Sequence, residues 1–395
     1  SLKTDDGIDA IMWIGYPGVY GFEAVAQALK GDVNPSGRLG NIYAVNSAAS
    51  PAVQNYGTAT KWTNVAGLSE EELAASKYAG MNVNSYLVEA EGIYTGYRYD
   101  ETRYADSLLA DDPRSAVTAK AGSYTAYDAE AGTFGLADTD GEWKYEQEVS
   151  YPFGYGLSYT TFTQNLDSVE VSEDRTTAVA KVTVTNTGEV AGKSVVQLYA
   201  QLPYEEGGVE KSAIQLVDYE KTELLQPDAS ETVTLNIDMS NLASYDYEGA
   251  KTFRMDAGTY YFAIGESSHD ALNNVLSARQ MSDMVNTDGT AFAASQQKKV
   301  EQWTLANDDT TTFAKSDATG ADITNRLTEG DYATDANAWI DQIDGAEEVV
   351  YLTRSDWNGT FPKTYSGWEF KMGTRLDEIM VNDFIPLGTN SPLPT

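Results

Sequence analysis

Four carboxylates, Glu89, Glu91, Asp100 and Glu101, lie among Tyr86, Tyr94, Tyr97 and Tyr99, with Arg98 and Arg103 close in sequence. Paired carboxylates can cleave a glycosidic bond when the carboxyl groups stand about 5–5.5 Å apart, which retains the anomeric configuration. Guanidinium groups beside them favour the ionised form. The same composition also makes an ordinary ion-pair network, and that is the reading adopted for these residues. The chain has one histidine, His269, and no cysteine. A Ser-His-Asp engine would have to run through His269. It follows Gly265-Glu266-Ser267-Ser268 and reads as a surface residue in a strand-end loop. Without cysteine there is no disulfide, thiolate nucleophile or cysteine metal site. A zinc site needs several His or Cys ligands, so no metal is expected.

Other patterns carry less chemistry. Asp138-Thr139-Asp140-Gly141-Glu142 is a fragment of a calcium loop, but its glycine comes too early, and it reads as a turn. Asn307-Asp308-Asp309 is a weaker fragment of the same kind. Gly154-x-Gly156 lacks the third glycine and following helix of a dinucleotide fingerprint, so no nucleotide is expected.

The elements that must position these residues follow from periodicity. Ile8 to Ile14 is a short apolar run with one acidic residue, read as a buried strand. Gly15-Tyr16-Pro17-Gly18 breaks it. Phe22, Val25, Ala26 and Leu29 then recur at helical spacing, and Gly31 stops the helix. Strand, tight loop and helix form the α/β repeat of a parallel-type sheet. Ligands of such sheets sit at the carboxyl ends of strands, where this loop would lie. Tyr16 and Tyr20 flank it and are the substrate-rim candidates, against the plain alternative of core or interface packing. A weak helix is expected near 69–79, and residues 40–150 are otherwise irregular.

From 162 the period changes to two. Ala180, Val182 and Val184 share one face; so do Val196, Leu198, Ala200 and Leu202; so do Val233, Leu235, Ile237 and Met239; and so do Tyr260, Phe262 and Ile264. Turn signals at Asn186-Thr187-Gly188, Gln226-Pro227-Asp228 and Asp256-Ala257-Gly258 separate them. Half-buried strands at this spacing predict a β-sandwich of roughly a hundred residues. Beyond it, a helix near 333–343 and a strand over 348–353 are expected.

The net charge of −34 repels phosphate backbones, which argues against nucleic acid and suits neutral ligands such as sugars. No run of about 18 apolar residues occurs, so no membrane span is expected. The start, SLKTDDGIDAIMWIG, has no initiator methionine and enters a strand pattern at once, as a piece of a larger chain would. The compartment reading leans to the exterior or envelope of a bacterium, with cytosol compatible.

Residues 151–162, Tyr-Pro-Phe-Gly-Tyr-Gly-Leu-Ser-Tyr-Thr-Thr-Phe, are the strongest family mark. They resemble the segment joining the α/β sandwich domain of glycoside hydrolase family 3 to a fibronectin type III-like domain. Residues 8–39 resemble the late part of that α/β domain, and residues 91–99, EGIYTGYRY, resemble the run ahead of the aromatic-glycine mark. The resemblance implies a partial α/β sandwich domain over 1–160, a fibronectin type III-like β-sandwich over 161–275 and an irregular connector over 276–395. The fold class is thus multidomain α/β plus all-β.

Residues 325–362 resemble the connector of members in which these domains precede the (β/α)8-type barrel. In the family the barrel supplies an aspartate nucleophile and the α/β domain a glutamate acid/base upstream of the match to 8–39. No catalytic residue is therefore expected in this chain. Ser355-Asp356-Trp357 is similar to the triplet around the family nucleophile, but Thr353-Arg354 precede it and Asn-Gly-Thr-Phe-Pro follow, as in a connector. The implied activity is β-glucosidase-like hydrolysis of terminal non-reducing β-D-glycosyl residues with no cofactor, and this part forms a cleft wall and brace. A xylosidase, arabinofuranosidase or N-acetylglucosaminidase is the alternative within the class. A non-catalytic carbohydrate-binding or surface module is the alternative outside it. Implied partners are a β-linked glycoside and the barrel, and an oligomer is possible.

Overall fold

The computed structural model describes residues 7–55, 61–62, 69–75, 89–109, 124–128, 133–136, 143–323, 337, 348–361 and 369–370. Its centre is a β-sandwich of two antiparallel sheets. Strands β1 (Phe162–Val171), β2 (Thr177–Asn186), β3 (Val195–Gln201), β4 (Gln215–Lys221), β5 (Ser230–Asp238), β6 (Gly258–Ile264) and β7 (Val300–Leu305) build it. One sheet has the order β5-β2-β1 and the other β7-β6-β3-β4. The alternation foreseen in the sequence sets the register. Val182 faces Val233 and Ala180 faces Leu235 across β2 and β5, so both inward rows coincide. These residues join Val196, Leu198, Ala200, Tyr260, Phe262 and Ile264 in one buried cluster. Each such side chain removed from water contributes roughly 1.5–3 kcal/mol.

β3 departs from simple alternation, since all seven of its residues are buried. A second apolar cluster covers its other face. Tyr199 of β3 and Ala263 of β6 pack there with Leu272, Val275 and Leu276. These leucines and valine belong to helix α4, which follows helices α1 (Gly21–Lys30), α2 (Tyr97–Leu109) and α3 (Tyr145–Glu148) and spans Ser268–Ala278. A strand covered on both faces reads as a continuous apolar run rather than an alternating one. The described body therefore has three layers, with the four-stranded sheet in the middle.

Four expectations change. Ile8 to Ile14 forms no strand and is largely exposed, because the described chain offers it no neighbouring strand. Among the described residues the parallel pairing is confined to Lys61–Trp62 against Glu369–Phe370. The sandwich also continues past 275, since β7 pairs along β6 from Gly258↔Leu305 to Ala263↔Val300. Residues 348–353 run without ladder partners. Helix α1 does form as expected, and Gly31 closes it in a left-handed conformation with φ 84°. A short helix covers Glu70–Ala75. The expected helix at 333–343 and the turn at 138–142 lie outside the described residues, apart from 337.

The loop after β7 is pinned by one carboxylate. Asp309 accepts from the backbone N–H groups of Thr311 and Thr312, each at 3.0 Å, and from both hydroxyls. Arg175 Nε approaches it at 2.8 Å. Burial works against the charge, but the hydrogen bonds from Thr312 and Thr311 outweigh it and hold the carboxyl well below its usual range. A depressed folded-state value adds stability above the unfolded pKa of about 3.9, and that stability fades as pH falls below it. Asp309→Asn should therefore lower the urea midpoint clearly at pH 7 and much less near pH 2. Equal loss at both pH values would show that the charge of Asp309 is not what holds the loop.

Candidate functional site

The aromatic-glycine stretch and the Asn-Pro-Ser-Gly-Arg turn are two halves of one junction. Gly154 has φ 80°, a conformation that glycine adopts without steric cost. A Cβ there would fall on the Gln197 amide oxygen and the Tyr199 hydroxyl. Its absence lets Gln197 Nε2 donate to the Gly154 carbonyl at 3.0 Å. The Gly154 N–H donates to Leu39 O at 2.8 Å, and the Leu39 N–H returns to Tyr155 O at 2.9 Å. A Cβ on Gly156 would strike the Gly37 carbonyl. Arg38 donates to Gly156 O and, at 2.8 Å, to Glu266.

Asn34 completes the seam. Its Oδ1 accepts from Ser158 Oγ at 2.9 Å and the Tyr159 N–H at 2.8 Å, while its Nδ2 donates to Ala191 O. Tyr159 lies across α1 and donates from its hydroxyl to Ala28 O. The motif is thus a mechanical joint between the amino-terminal segment and the sandwich.

The carboxylate-rich stretch falls on α2 and just before it. Glu101 is 0% exposed, and His269 is 2% exposed in the first turn of α4. The surface reading of His269 is therefore corrected: Ser267 caps a helix at this point and turns the ring inward. His269 Nδ1 lies 2.9 Å from Glu101 Oε2, and its Nε2 lies 2.9 Å from Val285 O. Tyr145 and Ser268 donate to Glu101 Oε1 at 2.7 and 2.8 Å. The Tyr145 ring stacks on the imidazole at 3.7 Å. Burial, reinforced by Glu101, pushes the Tyr145 phenol well above its usual range. Burial also raises Asp100, with Glu101 and Glu148 adding to it.

Arg103 donates to the Tyr99 hydroxyl at 2.8 Å and lies over the Trp143 ring. A carboxylate closed in this way cannot meet a sugar, so Glu101 ties three helices together rather than performing chemistry. The periodicity of 97–109 could have flagged this, because Glu101 and Ala105 fall on one helical face.

Residues 348–361 dock on the same helix. Arg354 Nε donates to Asp106 at 3.2 Å, Nη2 donates to its other oxygen, and Nη1 reaches Lys211 O at 2.9 Å. Trp357 Nε1 donates to Asp106 at 2.9 Å, and its ring packs edge-on to Tyr94 and Tyr99. Thr353 and Tyr94 share Glu210 as acceptor. Asp356 accepts from the Gly359 N–H at 2.9 Å and caps the turn Trp357–Thr360.

Tyr16 and Tyr20 stand apart from all of this, 104% and 89% exposed. Gly15 and Gly18 give the loop between them positive φ. Trp13, Val19, Phe22 and Leu29 are also exposed, so the apolar stripe of α1 faces outward. No group of three or more His, Cys, Asp or Glu side chains suited to a metal occurs among the described residues. No helix among them is long and apolar enough to cross a membrane.

The sandwich matches a known domain family, and the chain has relatives of known name. The family model for the fibronectin type III-like domain matches residues 194–268, so the sandwich is a domain of that class. Beta-glucosidase A of Butyrivibrio fibrisolvens is 32% identical over 285 residues, covering 68% of this chain and 26% of that protein. A beta-glucosidase of Ruminococcus albus is 28% identical over 267 residues, covering 67% of this chain and 21% of the relative. The structure of a beta-glucosidase from Paenibacillus barengoltzii, 28% identical, covers 73% of this chain with a TM-score of 0.45, over 22% of its own length. The chain spans about a quarter of the length of the curated relatives it matches. It is a β-glucosidase-like chain that resembles glycoside hydrolase family 3, as its three sequence marks imply.

Replacing Glu101 with alanine would strand the donors of Tyr145, Ser268 and His269 in the interior. Leaving a buried donor unpaired costs about 1–3 kcal/mol. Glu89→Ala, at an exposed position, should stay within about 0.5 kcal/mol. Urea unfolding of both variants checks this, and near-equal effects would remove Glu101 from its structural role.

Proposed function

We propose that this chain is part of a retaining glycoside hydrolase that removes terminal non-reducing β-D-glucosyl residues. The observation that carries the reading is the similarity to Beta-glucosidase A over 285 residues, more than two-thirds of the chain. The relatives are far longer, so the chemistry is assigned to the whole enzyme and not to this segment alone. A barrel aspartate attacks the anomeric carbon, and a glutamate on the remaining part of the α/β domain protonates the leaving oxygen and then activates water. Both carboxylates lie outside this chain.

The segment serves as brace and cleft wall. The seam at 34–39 and 154–159 holds α1 against the sandwich, and the docked residues 348–361 lead the chain toward the barrel. An apolar surface of this kind marks an interface. The face from Ile8 to Leu29 is covered, on this reading, by the rest of the enzyme. Tyr16 and Tyr20 border that covered face at the substrate rim, where an aromatic ring can stack on the apolar face of a sugar.

The test is hydrolysis of an aryl β-glucoside by the 395-residue chain and by the chain together with the barrel-bearing remainder. Turnover is expected only from the complete enzyme. Turnover by the chain alone, or none by the complete enzyme on any aryl β-glycoside, would overturn the reading. In the complete enzyme Tyr16→Ala or Tyr20→Ala should raise KM up to about tenfold, since a ring contact is worth about 0.5–1.5 kcal/mol. An unchanged KM in both would remove these tyrosines from the rim.

A further inference from the structure

A groove of about 550 Å³ opens at the far end of the sandwich from the glycine seam. It is lined by Trp303 and Thr304 of β7, by residues of the turn joining β1 to β2 and by the loop after β7. The position follows from the course of β1. At Phe162 that strand abuts Asn34, since a Cβ on Gly192 would touch both side chains. At Val171 it ends in the turn that bears Glu173 and Arg175. Ten residues at about 3.3 Å each place the groove roughly 30 Å from the seam.

The walls are built to hold a shape. Arg175 sits at φ 60°, a left-handed conformation that a non-glycine residue keeps only when its surroundings impose it. Its backbone N–H donates to Ser172 O, and its guanidinium meets Asp309 at 2.8 Å. Asp309 is itself fixed by Thr311 and Thr312. Asp308 is fixed in turn by Arg254 at 2.7 Å and the Ala257 N–H at 2.8 Å. Trp303 is half-buried against Tyr260, with ring centroids 5.2 Å apart, so its ring is held at a set angle. Glu173 and Asn307 line the groove with no hydrogen bond to other described residues, which leaves their polar atoms for a ligand.

We infer that this groove binds a neutral saccharide, with the Trp303 ring against a sugar face and Asn307 and Glu173 on its hydroxyls. A concave site joining an aromatic surface to a few placed polar groups is the usual form of a small-ligand site. Charge narrows the class. Glu173, Asp308 and Asp309 outnumber Arg175 in the lining, on a chain of net charge −34. Anionic ligands such as nucleotides or sulfated glycans are repelled from such a surface. A polyol needs no charge and accepts or donates through every hydroxyl. The choice of β-glucan within the saccharide class rests on the proposed function; the groove chemistry does not.

The experiment is calorimetric titration of the full chain with cellotetraose, laminaritetraose and maltotetraose, repeated on Trp303→Ala, Asn307→Ala and Tyr219→Ala. Tyr219 is an exposed aromatic of β4 outside the groove and serves as control. Thermal unfolding of each variant separates lost binding from lost folding. Asn307→Ala carries the test if Trp303→Ala unfolds, because the Asn307 side chain supports no other described residue.

Binding of a β-linked tetraose, weakened about tenfold or more by Asn307→Ala or folded Trp303→Ala and unchanged by Tyr219→Ala, supports the site. Binding of maltotetraose alone with the same mutational pattern supports the site and removes only the choice of β-glucan, leaving the proposed hydrolase untouched. No binding of any of the three sugars, or binding insensitive to both groove variants, overturns the inference and leaves the proposed hydrolase untouched.

Discussion

The backbone approach at Gly154 and Gly156 is the constraint on which the rest of the arrangement depends. Two side chains of ordinary size at these positions would occupy the space of Gln197, Tyr199 and the Gly37 carbonyl. With hydrogen in their place, residues 34–39 and 154–159 exchange backbone hydrogen bonds, and the Gln197 side chain of β3 donates to the Gly154 carbonyl. Every other contact of the amino-terminal segment described above, including Tyr159 to Ala28 and Arg38 to Glu266, follows once that approach is made. A motif with no acid, base or nucleophile therefore has a mechanical reason for its composition.

A second hub repeats the logic with charge in place of space. Glu101 gathers α2, α3 and α4 through Tyr145, Ser268 and His269, and Asp106, one turn further along α2, gathers 354 and 357. Both carboxyl groups are buried, and both are surrounded by donors, which is what a buried polar group requires. The sandwich thus carries a helical layer that is itself the dock for the residues after 348. The arrangement is stiff where the chain turns between regions and open where α1 presents its apolar stripe.

Much of the sandwich was legible in the sequence because its signal is local. A period of two in β2, β5 and β6 specifies which face is inward, and the pairing of Val182 with Val233 follows from matching two such rows. β3 yields only half its burial to that argument, since the partner of Tyr199 is a helix some seventy residues further on. His269 was misread for the same reason: a lone histidine after Glu-Ser-Ser looks like a loop, and only the Ser267 cap and the distant Glu101 reveal its place. The run at 8–14 shows the converse. Its composition asks for burial, and the described chain supplies no surface to bury it. The catalytic reading depends on similarity rather than on local pattern, because Glu101, from the carboxylate-rich stretch, is closed in by Tyr145, Ser268 and His269.

Hydrogen exchange at the seam tests the central claim most directly. The Gly154 N–H is bonded to Leu39 O and the Leu39 N–H to Tyr155 O, so the two amides should be protected together. In Gly154→Ala, a side chain forced to φ 80° and onto Gln197 should release both, with protection falling by tenfold or more. A tenfold fall corresponds to about 1.4 kcal/mol. Amides of the β2–β5 ladder should keep theirs, because the sandwich stands without the seam. Unchanged protection at Leu39, or an equal loss throughout the sandwich, would contradict the account of these glycines as the joint between the two regions.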